Sequence, residues 1–173
     1  MKIEGKHLQS IWYDEELDLV KIIDQNLLPH EFKISNLKNL SDACHAITSM
    51  QVRGAPLIGV TAAYGLYLAL KENPKQQQVA IKKLLDSRPT AINLGWALDK
   101  MQKSLSGIGG ELLVEKALKT ARLLAKEDAV NCEAIGESGL PILQALWRQK
   151  KGHQDCINIL THCNAGALAA VDW

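Results

Sequence analysis

The sequence predicts an α+β protein. A small antiparallel sheet and a helical domain occupy residues 1–152, and residues 153–173 begin a Rossmann-like α/β domain that is otherwise missing. Three observations carry this reading. Short runs of β-branched and aromatic residues fill the first forty or so positions. Apolar residues then recur at helical spacing for about a hundred more. Near the end, an apolar run, a glycine-containing loop and an alanine-rich stretch read as strand, turn and helix, the opening of a doubly wound sheet.

Strands are expected at Ile11-Trp12-Tyr13, over 17–23 and at Glu31-Phe32-Lys33-Ile34, with turns at 14–16 and 24–26. Asn39 or Ser41 can cap a first helix whose apolar face is Ala43, Ala46, Ile47 and Met50. Gly54 breaks the pattern, and Pro56 suits the first position of a second helix, where its missing N–H costs nothing. That helix, over 57–71, carries Gly59, Ala62, Ala63 and Gly65, small residues that let another backbone come close. Further helices are expected over 79–85, from Arg88-Pro89-Thr90 to about 105, and from 111 to about 137, where Leu113, Ala117, Ala121, Leu124, Ala125 and Ala129 form one stripe. Lys150-Lys151-Gly152-His153 reads as a linker, and 156–161 as a strand. One strand and two helical turns cannot bury themselves, so the chain is expected to be incomplete.

Composition narrows the function classes. Twenty basic residues against nineteen acidic ones, with no basic run, argue against nucleic-acid binding by bulk charge. One Phe in the whole chain argues against base-stacking platforms. Cys44, Cys132, Cys156 and Cys163 form no C-x-x-C pair, so a zinc site is not expected. The start has no apolar leader, and no run is long enough to span a bilayer. A cytoplasmic protein with reduced cysteines is the expectation.

Three segments can carry chemistry. In Met50-Gln51-Val52-Arg53-Gly54-Ala55-Pro56-Leu57-Ile58-Gly59, a guanidinium precedes a helix N-terminus, and Gly54 lets amides approach a bound anion. The plain alternative is a solvated Arg53 beside a helix break. In Ser87-Arg88-Pro89-Thr90-Ala91-Ile92-Asn93-Leu94-Gly95-Trp96, Arg88 could be a second anion-binding arm or simply an exposed side chain. In Thr161-His162-Cys163-Asn164-Ala165-Gly166, Cys163 would sit at a strand end near the next helix start, a setting that favours the thiolate. His162 would point to the opposite face, so a Cys–His dyad does not follow. A small buried Cys in a tight turn is the alternative.

These segments, in this order, resemble the methylthioribose-1-phosphate isomerases and the related alpha, beta and delta subunits of translation initiation factor 2B. Glu127-Asp128 with Asn131, and Ile135-Gly136, resemble the family's long-helix pattern, so the likeness runs from about Trp12 to the end, as in an N-terminal half. The resemblance implies aldose–ketose isomerisation of 5-methylthioribose 1-phosphate to 5-methylthioribulose 1-phosphate in methionine salvage. It implies a homodimer with a sugar-phosphate substrate and no cofactor, metal, nucleic acid or membrane partner. By residue, Arg53, Gly54, Ala55 and Arg88 would bind substrate and Cys163 would be the catalytic cysteine. The family pairs that cysteine with an Asp on a later Asn-Thr-Asp segment, which these residues lack, and Ala170 stands where Thr is frequent. The expectation is therefore that the 173-residue chain alone is inactive. Two other readings share these residues: an isomerase of ribose 1,5-bisphosphate, and a non-catalytic regulatory subunit like those of initiation factor 2B.

Overall fold

The computed structural model describes residues 1–3, 5–150, 152 and 155–173. A two-residue hairpin, β1 (Lys2–Ile3) and β2 (Lys6–His7), precedes a three-stranded antiparallel sheet in the order β3 (Ile11–Asp14), β4 (Leu19–Ile23), β5 (Ile34–Leu37). Ile22 lies opposite Ile11, and Val20 lies between Tyr13 and Leu37, so Val20 and Ile22 turn one face into the core. Residues expected to extend β4 to 17 form the hairpin turn instead. Asp14 accepts the amides of Glu16 and Leu17, and its other oxygen takes Lys21 Nζ at 2.7 Å. The third strand lies three residues later than expected. Pairing Leu37 with Val20 buries Leu37, whereas Phe32 stays 41% exposed.

Helix α1 (Leu40–Thr48) is capped by Asn39, whose side chain accepts the Asp42 amide. Met50 lies beyond the helix at φ 61, not on its apolar face. Helix α2 (Ala55–Glu72) is the centre of the molecule, with every residue from Leu57 to Leu70 buried. It packs against α1, α3 (Gln77–Ser87), α4 (Ile92–Leu105), α5 (Glu111–Lys150) and β3. Its glycines meet the expectation of close approach. A Cβ at Gly59 would lie 2.9 Å from the Asn93 carbonyl oxygen of α4, and one at Gly65 would lie 2.8 Å from Ala43 Cβ.

Two helix boundaries differ from the sequence reading. Helix α4 begins at Ile92, so Arg88 and Pro89 sit in the turn before it. Helix α5 runs through Gly136, Gly139 and Pro141 to Lys150, beyond the expected end near 137. The expected stripe faces the core only as far as Ala125. Beyond it no α5 residue is buried, and Ile135 and Ile142 are exposed. The expected linker falls partly outside the described residues.

The secondary structure expected over 156–173 is the main difference from the sequence reading. Residues 156–161 form no regular element and belong to no sheet, and Leu160 is fully exposed. A strand needs a neighbour for its backbone groups, and none of the described strands pairs with it. The expected helix after Gly166 is a single turn. Residues 167–172 instead fold back as a strap on the first domain, burying Ala169, Ala170, Val171 and Asp172.

Candidate functional site

The strap determines where Cys163 lies. Ser10, at the entry to β3, donates its hydroxyl to the Ala167 carbonyl at 2.6 Å and its amide to the Val171 carbonyl at 2.8 Å. Gln25, just after β4, donates its side-chain amide to the Leu168 carbonyl at 2.7 Å. The Leu57 amide, in the first turn of α2, donates to the Ala169 carbonyl at 3.3 Å, and Asp128 of α5 accepts the Val171 amide at 2.7 Å. Strands and helices distant in sequence thus hold six residues of backbone.

Two carboxylates, Asp128 beneath the strap and Asp172 within it, are both penalised by burial yet shift in opposite directions. Burial pushes the Asp128 carboxyl above its ordinary value, opposed by the Val171 amide it accepts. Burial also works against ionisation of Asp172. Even so, the N-terminal ammonium at 2.5 Å and His7 beside it hold its carboxyl below the usual value.

The helix N-terminus expected to receive an anion is partly occupied by the protein itself. Gly54 caps α2 at φ 102 with no side-chain cap, and the Ala169 carbonyl takes the Leu57 amide. A Cβ at Gly54 would lie 2.3 Å from that same Ala169 oxygen. The glycine is therefore needed for close approach, but the backbone that approaches is the strap.

Beside this contact lies an open cleft of about 310 Å³, lined by Gln25, Arg53, Cys163, Asn164, Ala165, Leu168 and Ala169. It brings together Arg53 and Cys163, residues 110 positions apart that the sequence singled out separately. Arg53 is exposed and reaches the Gln25 carbonyl only at 3.5 Å, leaving its guanidinium available. Cys163 sits in a left-handed turn at φ 64, exposed, and no hydrogen bond or ion pair engages it among the described residues. Gly54 and Ala55 adjoin Arg53 but do not line the cleft, and Arg88 is not part of it. Arg88 is half-buried before α4, with Nη1 shielded from solvent and unpartnered.

Chemistry, not size, singles this cleft out. A larger one of about 600 Å³ between α1 and α3 contains Cys44 and Lys83 but none of the residues above. Burial pushes the Cys44 and Cys132 thiols up, for Cys132 with help from Asp128 and Asp172, which disfavours their thiolates. Cys156 and Cys163 are the exposed thiols, and Cys163 shares a cleft with the Arg53 cation. No cluster of three or more His, Cys, Asp or Glu suited to a metal ion occurs among the described residues. None of the described helices is long and apolar enough to cross a membrane.

Sequence reasoning missed Gln25 and Ser10. The signal for Gln25 was a polar residue in a turn directly after an apolar strand, which reads as solvated. It is in fact 2% exposed.

The chain and its fold are similar to known proteins. A family model described as the initiation factor 2 subunit family matches residues 51–171. The chain is 46% identical to a methylthioribose-1-phosphate isomerase from Rhodospirillum rubrum, over 100% of this chain and 46% of that protein. Among solved structures, 96% of the chain superposes on 48% of the translation initiation factor eIF-2B delta subunit from A. fulgidus, with a TM-score of 0.76 and 34% identity. It superposes equally on 46% of the 5-methylthioribose 1-phosphate isomerase from Pyrococcus horikoshii OT3, with a TM-score of 0.71 and 32% identity. The chain spans about half the length of each of these three proteins. From the matched segment 51–171, which holds both Arg53 and Cys163, the chain belongs to the initiation factor 2 subunit family.

Proposed function

We infer that this chain supplies one half of a site for isomerising 5-methylthioribose 1-phosphate to 5-methylthioribulose 1-phosphate, an aldose–ketose step of methionine salvage. The observation that carries the reading is the convergence of Arg53 and Cys163 on one open cleft. Similarity to isomerases of that name supports it. Arg53 is a geometric match for a phosphate, which takes two parallel hydrogen bonds from a guanidinium. The Ala55 amide at the α2 terminus adds a donor of the right sign. Arg88 is assigned to the same substrate, where an anion would satisfy its unpartnered Nη1. Cys163 would carry or return a proton at the reacting carbons. Residues 153–173 would belong to a second domain, in a homodimeric cytoplasmic enzyme.

Isomerisation removes a proton from one position of the sugar and delivers one to another, or moves a hydride equivalent between neighbouring carbons. Either route needs an acid or base besides the thiol. The cleft lining offers Gln25, Asn164 and apolar atoms, and no carboxylate or imidazole. The purified 173-residue chain is therefore expected to bind the sugar phosphate without converting it. Incubation with 5-methylthioribose 1-phosphate, followed by phosphorus NMR, checks this. Accumulation of the ketose would show that the residues present suffice.

One observation favours a regulatory role without catalysis: the TM-score with the initiation factor subunit is the higher of the two. Ligand binding at the cleft with no dependence of turnover on Cys163, once the site is complete, would support that reading instead.

A further inference from the structure

We propose that Gln25 is a positioning residue that sets the spacing between the Arg53 guanidinium and the Cys163 thiol; this rests on the isomerase reading above and names how its site is held. Gln25 is 2% exposed in a turn that follows β4, and three of its polar groups point in different directions. Its main-chain amide donates to the Gln51 carbonyl at 3.0 Å, fixing the loop that carries Arg53. Its main-chain carbonyl accepts the Arg53 guanidinium at 3.5 Å. Its side-chain amide donates to the Leu168 carbonyl at 2.7 Å, fixing the strap five residues beyond Cys163.

The turn that carries Gln25 is itself held. Asp24, 6% exposed, accepts the Asn26 amide at 3.1 Å and the Gln51 side-chain amide at 2.6 Å. The Asn26 side chain donates to the Ser49 carbonyl at 2.8 Å. A rigid turn therefore carries one buried donor toward the cysteine side of the cleft, while its backbone holds the arginine side. The loop 161–166 makes few bonds of its own. The Ala169 amide closes onto the Gly166 carbonyl at 2.9 Å, and beyond that the loop inherits its place from the strap. A carboxamide placed this way holds the cleft wall, its donor being spent on the strap. Removing its donor would leave the Leu168 carbonyl unpaired and free the near end of the strap.

The test compares the 173-residue chain with Gln25→Met, which keeps the length without a donor, and Gln25→Glu, which keeps the shape but presents a second acceptor to Leu168. Backbone hydrogen exchange is read first. Exchange of the Ala169 and Val171 amides, the hydrogen-bonded donors of the strap, is expected to rise at least tenfold in both variants, with the amides of α2 within about twofold of wild type. Iodoacetamide labelling is read second, with exposed Cys156 as the internal reference for Cys163. Saturating 5-methylthioribose 1-phosphate is expected to slow Cys163 labelling at least fivefold in wild type and less than twofold in the variants, while calorimetric affinity stays within threefold. A merely structural residue would not separate affinity from protection in this way.

Unchanged exchange of the Ala169 and Val171 amides would overturn the proposal. So would exchange that rises throughout α2, or failure of both variants to fold, since Gln25 would then be a general core stabiliser. Protection and affinity falling together would also overturn it. Local loosening in the variants, with no ligand protection of Cys163 in wild type, would uphold the placement by Gln25 and sink the isomerase reading.

Discussion

Replacing Gly54 with alanine is expected to destabilise the protein by about 3 kcal/mol, the largest stability effect of any single methyl group added here. Two costs add. At φ 102 an alanine is in a backbone region L side chains rarely adopt. Its Cβ would also lie 2.3 Å from the Ala169 oxygen and 2.4 Å from the Ala169 Cα, both backbone atoms with no rotamer by which to move away. Either α2 shifts against its own core or the strap lifts. The strap is the weaker partner, since five hydrogen bonds to its backbone, the contacts of Asp172 with the N-terminal ammonium and His7, and four small or medium side chains hold it. Urea denaturation measures the total. Faster exchange of the Leu57 and Val171 amides would show that the strap is what gives way. A change under about 0.5 kcal/mol would mean that the close approach of Gly54 and Ala169 is not a feature of the folded protein.

The largest effect on activity is expected at Cys163. In a fusion of this chain to the part of a full-length methylthioribose-1-phosphate isomerase that it does not match, Cys163→Ser should lower kcat by about 10³-fold. KM should change by no more than about threefold. Serine keeps the size and the turn, but its hydroxyl is a far weaker acid than a thiol and takes part in proton transfer poorly near neutrality. The unengaged state of Cys163 on the cleft side makes the prediction specific. No bond among the described residues is lost on substitution, so a loss of rate with stability unchanged would report chemistry and not folding. Equal turnover by the serine fusion would remove Cys163 from the mechanism. The same substitution at Cys132, where burial already disfavours the thiolate, should leave kcat unchanged.

These expectations show which parts of the molecule the sequence expresses locally. Helix α2 is readable because Gly54 and Pro56 mark its start and an unbroken apolar run marks its burial. The Asn39 cap and the α5 stripe up to Ala125 are likewise local patterns, with periodicity 3.6 and a side-chain acceptor at the right place. β5 was misplaced because Phe32 and Ile34 offer an alternating apolar pair, whereas the face of β5 turned inward carries Ser35 and Leu37, opposite Ile22 and Val20. Only the facing Val20 decides between them, and that pairing is nonlocal. The apolar stripe was followed only to about 137, yet α5 continues through Pro141 to Lys150.

The site divides in the same way. Arg53 and Cys163 were visible as residue types in suggestive settings, but their meeting in one cleft was not, because the strap that joins them reverses the direction the sequence suggests. An alanine-rich stretch after a glycine reads as a helix start by propensity. Here Ala169 and Ala170 serve instead as small residues that fit a strap under neighbouring backbone. Gln25 was invisible for a related reason. A glutamine in a polar turn looks solvated until the segment that covers it, more than 140 residues later, is in place.

The central claim is that the Arg53–Cys163 cleft receives the sugar phosphate, and a nitrogen-15 shift titration of the 173-residue chain with 5-methylthioribose 1-phosphate tests it most directly. The account predicts saturable shifts concentrated at Gln25, Arg53 and 163–165, all reduced by Arg53→Gln. Shifts centred on the larger cleft around Cys44 and Lys83, or a titration that Arg53→Gln leaves unchanged, would contradict it.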